Sequence, residues 1–354
     1  MTASNISTAR ERLEAAAAIA ILIKDGPYGT AIQNAKLSAE EYAGDTGLTQ
    51  DQKGNNDLVN LTQPQVIRTI CDQYLDAGAR VLATNTFNAN RISQADYGAE
   101  DQVHAINVSA AKIIREACDT ASAKDGVERF VCGAMGPTNK TLSLSPDVED
   151  PGFREVTFDE VKDIYREQAE ALVEGGVDFI LIETVFDTLN CKAACLAVME
   201  LAQDLGHDVP LMISLTLTDL SGRNLSGHTV EAFWNTVRHA KPVTIGLNCS
   251  FGADQLRPHV KLLSGAADTL LMAYPNAGLP NELGEYDELP ETTASLVRQW
   301  AEAGQVNILG GCCGNTPEHI AAMAKAVAGL SARKIPARDT TMQLAGLEPF
   351  TIAA

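Results

Sequence analysis

Eight short apolar runs recur along this chain, separated by segments with helical patterning. The runs are Ala18–Lys24, Val81–Thr86, Phe130–Met135, Phe179–Thr184, Leu211–Leu217, Val243–Cys249, Leu270–Tyr274 and Asn307–Cys312. Most are rich in leucine and β-branched residues and alternate little with polar ones. Parallel strands read this way when helices cover both faces of the sheet. Pro64–Ala77, Asp159–Glu174 and Glu291–Ala303 are the clearest amphipathic helices. Gly78, Gly176 and Gly304 follow their last turns and supply the left-handed residue a helix end favours. Thr316-Pro317 opens another helix, with Thr as N-cap and Pro at the first helical position. Eight strand–helix units predict an α/β fold, a single-domain (β/α)8 TIM barrel. An open doubly wound sheet is disfavoured, because no glycine-rich phosphate fingerprint follows an early strand.

Two long insertions, Ala31–Leu61 after the first strand and Asn139–Phe158 after the third, would overhang the C-terminal face of such a barrel. The expected division is a barrel over residues 1–335 and a linker-like tail over 336–354, with linker character beginning near Arg333. The formal net charge is -19. Such a surface repels nucleic acid and anionic membrane, so neither is expected as a partner. No apolar stretch is long enough to span a membrane. The run Ala15–Ile23 lacks the basic flank and cleavage site of a secretion signal and reads as a helix end leading into the first strand. Eight cysteines at this length, without such a signal, point to a reducing cytoplasm rather than a disulfide framework.

Three of those cysteines stand apart. Cys249 ends Val243-Thr-Ile-Gly-Leu-Asn-Cys, and Cys312 and Cys313 lie in Gly310-Gly-Cys-Cys-Gly314. A buried free cysteine is often just a small hydrophobe, but paired thiols among glycines pack poorly. On a tight turn both thiolates can converge on one ion, and Cys249 adds a third from another strand end. Three protein ligands with an open fourth position suit a catalytic Zn²⁺ site. Zinc held by three thiolates is a weak Lewis acid but readily binds a substrate thiol, whose pKa falls while it stays nucleophilic. Alkyl transfer to a substrate sulfur is therefore the expected reaction. His319 is expected on the surface of the helix after Cys313, not as a ligand.

Polar residues gather at the other strand ends, which a barrel brings to one mouth. Glu183 could bind a substrate ammonium group, or form a salt bridge at the mouth. Glycine-flanked N–H groups around Gly26, Gly29 and Thr30 could hold a carboxylate. Asp25 and Asn85 serve equally well as substrate contacts or loop caps. An amino-acid thiol such as homocysteine satisfies the thiol, ammonium and carboxylate requirements together.

Several motifs resemble the homocysteine S-methyltransferase family, above all the homocysteine-binding module of cobalamin-dependent methionine synthase. They are Asp57-Leu-Val-Asn-Leu-Thr-Gln-Pro64, Thr84-Asn-Thr-Phe87, Gly136-Pro-Thr-Asn139, Ile182-Glu-Thr184, Ser221-Gly-Arg223, Pro275-Asn-Ala-Gly278 and Gly310-Gly-Cys-Cys-Gly314. The likeness runs from about Ile21 to Pro349. It implies a (β/α)8 barrel, zinc on Cys249, Cys312 and Cys313, and L-homocysteine as the thiol substrate of a methionine synthase-type enzyme. It also implies that Glu183 takes the amino group and that the Asp25–Thr30 loop holds the carboxylate. Thr84 and Asn85 complete the substrate wall, and Asn276 can occupy the fourth zinc position before substrate enters. Where the family reads Asp-Gly-Ala-Met-Gly-Thr, this chain has Pro27 and Tyr28, so Tyr28 is expected at the substrate mouth. Leu344-Ala-Gly-Leu-Glu-Pro349 resembles the entry to a folate module, so the chain is expected to be either a stand-alone subunit or a piece of a longer enzyme cut at that linker. The expected donor is thus methylcobalamin supplied in trans by a separate corrinoid- and folate-binding subunit. A small donor such as S-methylmethionine or a betaine-like onium compound is the alternative. A non-catalytic module that delivers homocysteine or docks a corrinoid protein is a third reading.

Overall fold

The computed structural model describes residues 8–352. The expected ranges 1–335 and 336–354 therefore include positions 1–7 and 353–354, which lie outside the described residues. Among the described residues, eight parallel strands form one sheet: β1 (Leu22–Ile23), β2 (Val81–Ala83), β3 (Phe130–Met135), β4 (Phe179–Val185), β5 (Leu211–Leu215), β6 (Thr244–Gly252), β7 (Leu270–Asn276) and β8 (Ile308–Leu309). Each expected run overlaps one of them, but β4, β6 and β7 continue beyond the expected ends, to Val185, Gly252 and Asn276. β1 pairs with β8, and the remaining strands pair in chain order from β2 to β8. A parallel bridge between Lys24 and Val81 closes the ring, with Arg80 N–H donating to Ile23 O at 2.7 Å. The result is the (β/α)8 barrel.

A helix follows every strand: Pro64–Asp76, Val103–Asp125, Phe158–Glu174, Thr188–Leu205, Val230–Val237, Ala253–Ala266, Pro290–Glu302 and Pro317–Val327. Gly78, Gly176 and Gly304 take positive φ as their helices end. The core has two layers, because an apolar strand presents alternate residues to opposite faces. Leu22, Val81, Phe130, Phe179, Met212, Val243, Leu270 and Ile308 fill the barrel interior. Leu13 and Ala17, from the helix Ala9–Ile19, join this cluster where the strands begin and so close the barrel floor. The outer layer packs Ile23, Leu82, Val131, Ile180, Ile213, Ile245 and Leu271 against the surrounding helices. Five cysteines, Cys71, Cys118, Cys132, Cys191 and Cys195, are buried and free. Burial pushes the Cys118 thiol up to about 12, so it stays protonated and unreactive.

Both insertions lie at the C-terminal end of the strands. The first folds into short helices, Tyr28–Asn34, Ala39–Ala43 and Val59–Thr62. The second is pinned by the helix after β4: Ser143 N–H donates to Asp187 at 2.8 Å and Leu142 N–H to Asn190 at 2.9 Å. At the opposite end Arg333 is buried, and its guanidinium donates to the carbonyls of Ser264, Ala267 and Thr269. The carbonyls of Ser264 and Ala267 lie at the end of the helix after β6, where a cation is favoured. Beyond Arg333 the chain forms an antiparallel hairpin, β9 (Met342–Ala345) with β10 (Pro349–Ile352). It lies beside the helix after β5, tied by Arg223 to Glu348 and by Thr229 N–H to Leu347 O at 3.1 Å.

Candidate active site and metal centre

Two strands bulge where the candidate residues sit. On β6, Asn248 aligns with Tyr274 and Gly252 with Asn276, so Cys249, Ser250 and Phe251 face a single residue of β7. Cys249 and Ser250 accordingly adopt left-handed φ of 61° and 63°. On β4 the register slips between Ile182 and Val185, and Thr184 has φ 57°. Such backbone is costly for L-residues, about 1–3 kcal/mol each, and persists where surrounding contacts enforce it. Asn248 supplies those contacts. Its Nδ2 donates to Thr184 Oγ1 at 2.9 Å and faces Cys312 Sγ at 3.8 Å. Its Oδ1 accepts from Ser214 Oγ at 2.6 Å and from Thr184 N–H at 3.2 Å. One buried amide therefore fastens β4, β5 and β6 to the cysteine turn.

That turn is sewn to β7. Cys312 N–H donates to Pro275 O at 2.8 Å, Ala277 N–H to Cys313 O at 2.9 Å, and Asn315 Nδ2 to Pro275 O at 2.9 Å. Gly310 lies so close to β1 that a Cβ there would stand 2.8 Å from that of Lys24. Gly314 has φ +77°, and its missing side chain makes room for Tyr286. The ligand atoms of Cys249, Cys312 and Cys313 lie within 4.8 Å of one another, the one group among the described residues able to hold a metal. Cys249 Sγ and Cys313 Sγ are 3.8 Å apart. Two sulfurs on one tetrahedral Zn²⁺, each bonded at about 2.3 Å, stand roughly 3.8 Å apart, so the donor set fits that ion. The three thiols are electrostatically unequal. Hydrogen bonds from Cys249 and then Cys312 pull Cys313 down to about 3. For Cys249 the bond with Cys312 lowers the pKa, but donation to Cys313 and burial outweigh it and push the thiol up to about 11. Cys312 is held well above the ordinary range by its bonds to Cys249 and Cys313 and by burial. Two thiols thus stabilise one thiolate.

The thiols open into a cavity of about 400 Å³, also lined by Gly26, Gly29, Thr30, Thr84, Asn85 and Glu183. This size suits a small ligand. Glu183 accepts from Tyr274 OH at 3.2 Å. Burial raises its pKa, opposed by Lys24 and by the Tyr274 bond. Thr84 spends its hydroxyl on Thr86 and on Ala134 N–H, and Asn85 Nδ2 caps Asn56 O at 2.7 Å. Asp25 and Asn276 do not line the cavity. Asp25 is fully buried between Lys24 Nζ, at 2.7 Å, and Ala83 N–H, at 2.8 Å. Asn276 is buried, and its Oδ1 has no hydrogen-bond partner among the described residues. Tyr28 lines the cavity, yet its hydroxyl is buried and its ring meets Tyr74 edge-on at 6.1 Å. His319 is not a surface residue. It is 5% exposed, accepts Thr316 N–H at 3.2 Å through Nδ1, and donates through Nε2 to Glu288 O at 2.9 Å. That bond anchors the loop that carries Tyr286 over the mouth. Lys24 and Tyr286 escaped sequence reasoning, and Asn248, though placed at the mouth by its strand end, had no role assigned to it. Lys24 ended an apolar run, and the roles of Asn248 and Tyr286 depend on contacts between distant strands.

Residues 22–327 match the sequence profile described as Homocysteine S-methyltransferase. The chain belongs to the homocysteine S-methyltransferase family. Solved structures of the homocysteine methyltransferase MmuM from Escherichia coli share the barrel. The metallated form is 23% identical, covering 86% of this chain and 96% of that one, with a TM-score of 0.67. The oxidized form is 21% identical, covering 86% and 95%, with a TM-score of 0.68. The apo form is 20% identical over the same shares, with a TM-score of 0.63. As a methyltransferase of this family, the chain carries its possible metal ligands at the barrel mouth. No helix among the described residues is long and apolar enough to cross a membrane. Asn248→Ala should leave the cysteines in place but loosen their support. Zinc affinity is expected to fall about 10–100-fold, as for lost outer-shell partners generally. Chelator competition measures this, and unchanged affinity would show that Asn248 serves the backbone alone.

Proposed function

We propose that this chain transfers a methyl group to the thiol of L-homocysteine, giving methionine, with Zn²⁺ held by Cys249, Cys312 and Cys313. The observation that carries this reading is the convergence of three thiols and Glu183 on one small cavity. Bound zinc would supply a Lewis-acid site that keeps a substrate thiol ionised near neutral pH. The protein's own residues orient that substrate. Glu183, steadied by Tyr274, receives the ammonium group, and the Gly26–Thr30 loop flanks the carboxylate. A charge-assisted hydrogen bond of this kind contributes roughly 1.5–3 kcal/mol. Glu183→Gln should therefore weaken homocysteine binding on the order of 10–150-fold while zinc is retained. Calorimetry on the zinc-loaded variant tests this, and an unchanged binding constant would leave Glu183 a structural residue.

For the donor, we favour methylcobalamin carried by a separate corrinoid-binding subunit. The support for this donor is the resemblance of the motifs from Asp57 to Gly314 to the cobalamin-dependent module. A specific observation favours a small onium donor as the second reading: Tyr274, Tyr286 and Phe87 line the cavity, and aromatic faces attract such cations. The deciding experiment incubates zinc-loaded protein and homocysteine with methylcobalamin, S-methylmethionine or a betaine in parallel. Homocysteine-dependent loss of the methylcobalamin spectrum is the expected result. Turnover with onium donors alone would overturn it, and no turnover with any donor would leave a docking module. The free state of the cysteines supports a cytoplasmic setting.

A further inference from the structure

We propose that Lys24 receives the α-carboxylate of the amino-acid substrate, so that the cavity selects a zwitterionic head group; this rests on the homocysteine reading above. Lys24 directly follows β1 and is 4% exposed, yet it lines the cavity together with Glu183. A buried ammonium is costly unless partnered. Its partners are Asp25 Oδ1 at 2.7 Å and the face of Tyr274, whose ring centre lies 4.8 Å from Nζ. A lysine ammonium carries three N–H donors. Among the described residues Asp25 accepts one and the Tyr274 ring covers another direction, which leaves a donor for a ligand in the cavity. The same tyrosine donates its hydroxyl to Glu183 Oε2 at 3.2 Å. A cation and a carboxylate thus flank one buried ring.

An α-amino acid bears its ammonium and carboxylate on a single carbon and can engage both at once. A ligand with only one of these charges satisfies one wall and leaves the other unpaired, the asymmetry that makes buried polar groups selective. Asp25 cannot play the ammonium-binding part itself. Both of its oxygens are committed, to Lys24 and to Ala83 N–H.

The test compares three thiols on the zinc-loaded full chain by calorimetry: L-homocysteine, 3-aminopropane-1-thiol, which lacks the carboxylate, and 4-sulfanylbutanoate, which lacks the ammonium. The wild type should prefer homocysteine over 3-aminopropane-1-thiol on the order of 10–100-fold. In Lys24→Met that ratio should fall to near one, with 3-aminopropane-1-thiol binding unchanged and 4-sulfanylbutanoate weakened. Because Lys24→Met strands Asp25 as an unpaired buried carboxylate, the double variant Lys24→Met/Asp25→Asn, which removes both charges, is measured alongside it. A wild-type preference that survives in both variants overturns the assignment, as does an equal loss for all three thiols, which marks Lys24 as a purely structural counter-ion. Should the wild type bind none of the thiols, the homocysteine reading itself fails and this inference falls with it.

Discussion

Alanine at Cys249, Cys312 or Cys313 should abolish metal binding and methyl transfer while the barrel stays folded. All three thiols are only partly buried and line the cavity, and of them only Cys312 also packs against the inner core layer. Their removal therefore leaves the packing of β6 and β8 largely intact. The metal loss should be severe. An apparent zinc binding energy of about 10–16 kcal/mol, spread over four ligands, assigns roughly 2.5–4 kcal/mol to each. Losing one thus weakens zinc about 100- to 1000-fold. Cys132→Ala is the control, because Cys132 lies in the barrel interior beside Met212 and belongs to no metal-binding group among the described residues. It should keep the metal at some cost in stability. Metal analysis after dialysis, with thermal melts in parallel, decides the matter. Full occupancy in all three mouth variants would refute the assignment.

The barrel is legible in the sequence because a parallel strand covered on both faces must be apolar throughout, as Phe130–Met135 is, and because helix ends announce themselves through residues such as Thr316, Pro317 and Gly304. The cysteine turn is legible for a chemical reason: Gly310-Gly-Cys-Cys-Gly314 has little purpose as core. What the sequence hides is the aim of side chains. The bulge that turns Cys249 toward the mouth requires left-handed backbone at Cys249 and Ser250, which no local propensity favours. Asp25 takes the capping part of its two open readings, and Lys24, for which no part was expected, enters the site for a related reason. The polar residue Asp25 is consumed in closing β1 onto β2, while the lysine that looked like the frayed end of an apolar run lines the cavity. His319 is misplaced by its composition alone, since only the fold reveals Glu288 O as its partner.

Zinc affinity should fall about 100-fold for each unit by which pH is lowered near neutrality. Without metal, Cys313 is already a thiolate, pulled down to about 3 by hydrogen bonds from the other two thiols, whereas Cys249, at about 11, and Cys312 keep their protons. Zinc requires three thiolates. Loading therefore releases two protons, and acid opposes it twice over. The dependence extends across the window bounded below by the lowered Cys313 value and above by the raised Cys249 value. Homocysteine adds a further proton when its thiol binds. Its affinity for the zinc-loaded protein should rise tenfold per pH unit until the free thiol ionises, near the ordinary thiol value of about 8.5. Chelator competition between pH 6 and 8, corrected for the chelator's own protons, gives the first slope. Calorimetry in buffers of different ionisation enthalpy counts the protons directly. A slope of three would mean that no thiol is ionised beforehand, and a slope near zero that all three are. Either result would break the picture of one thiolate held by two thiols, and with it the account of how the Cys312–Cys313 turn and the Cys249 bulge prepare the site for a metal.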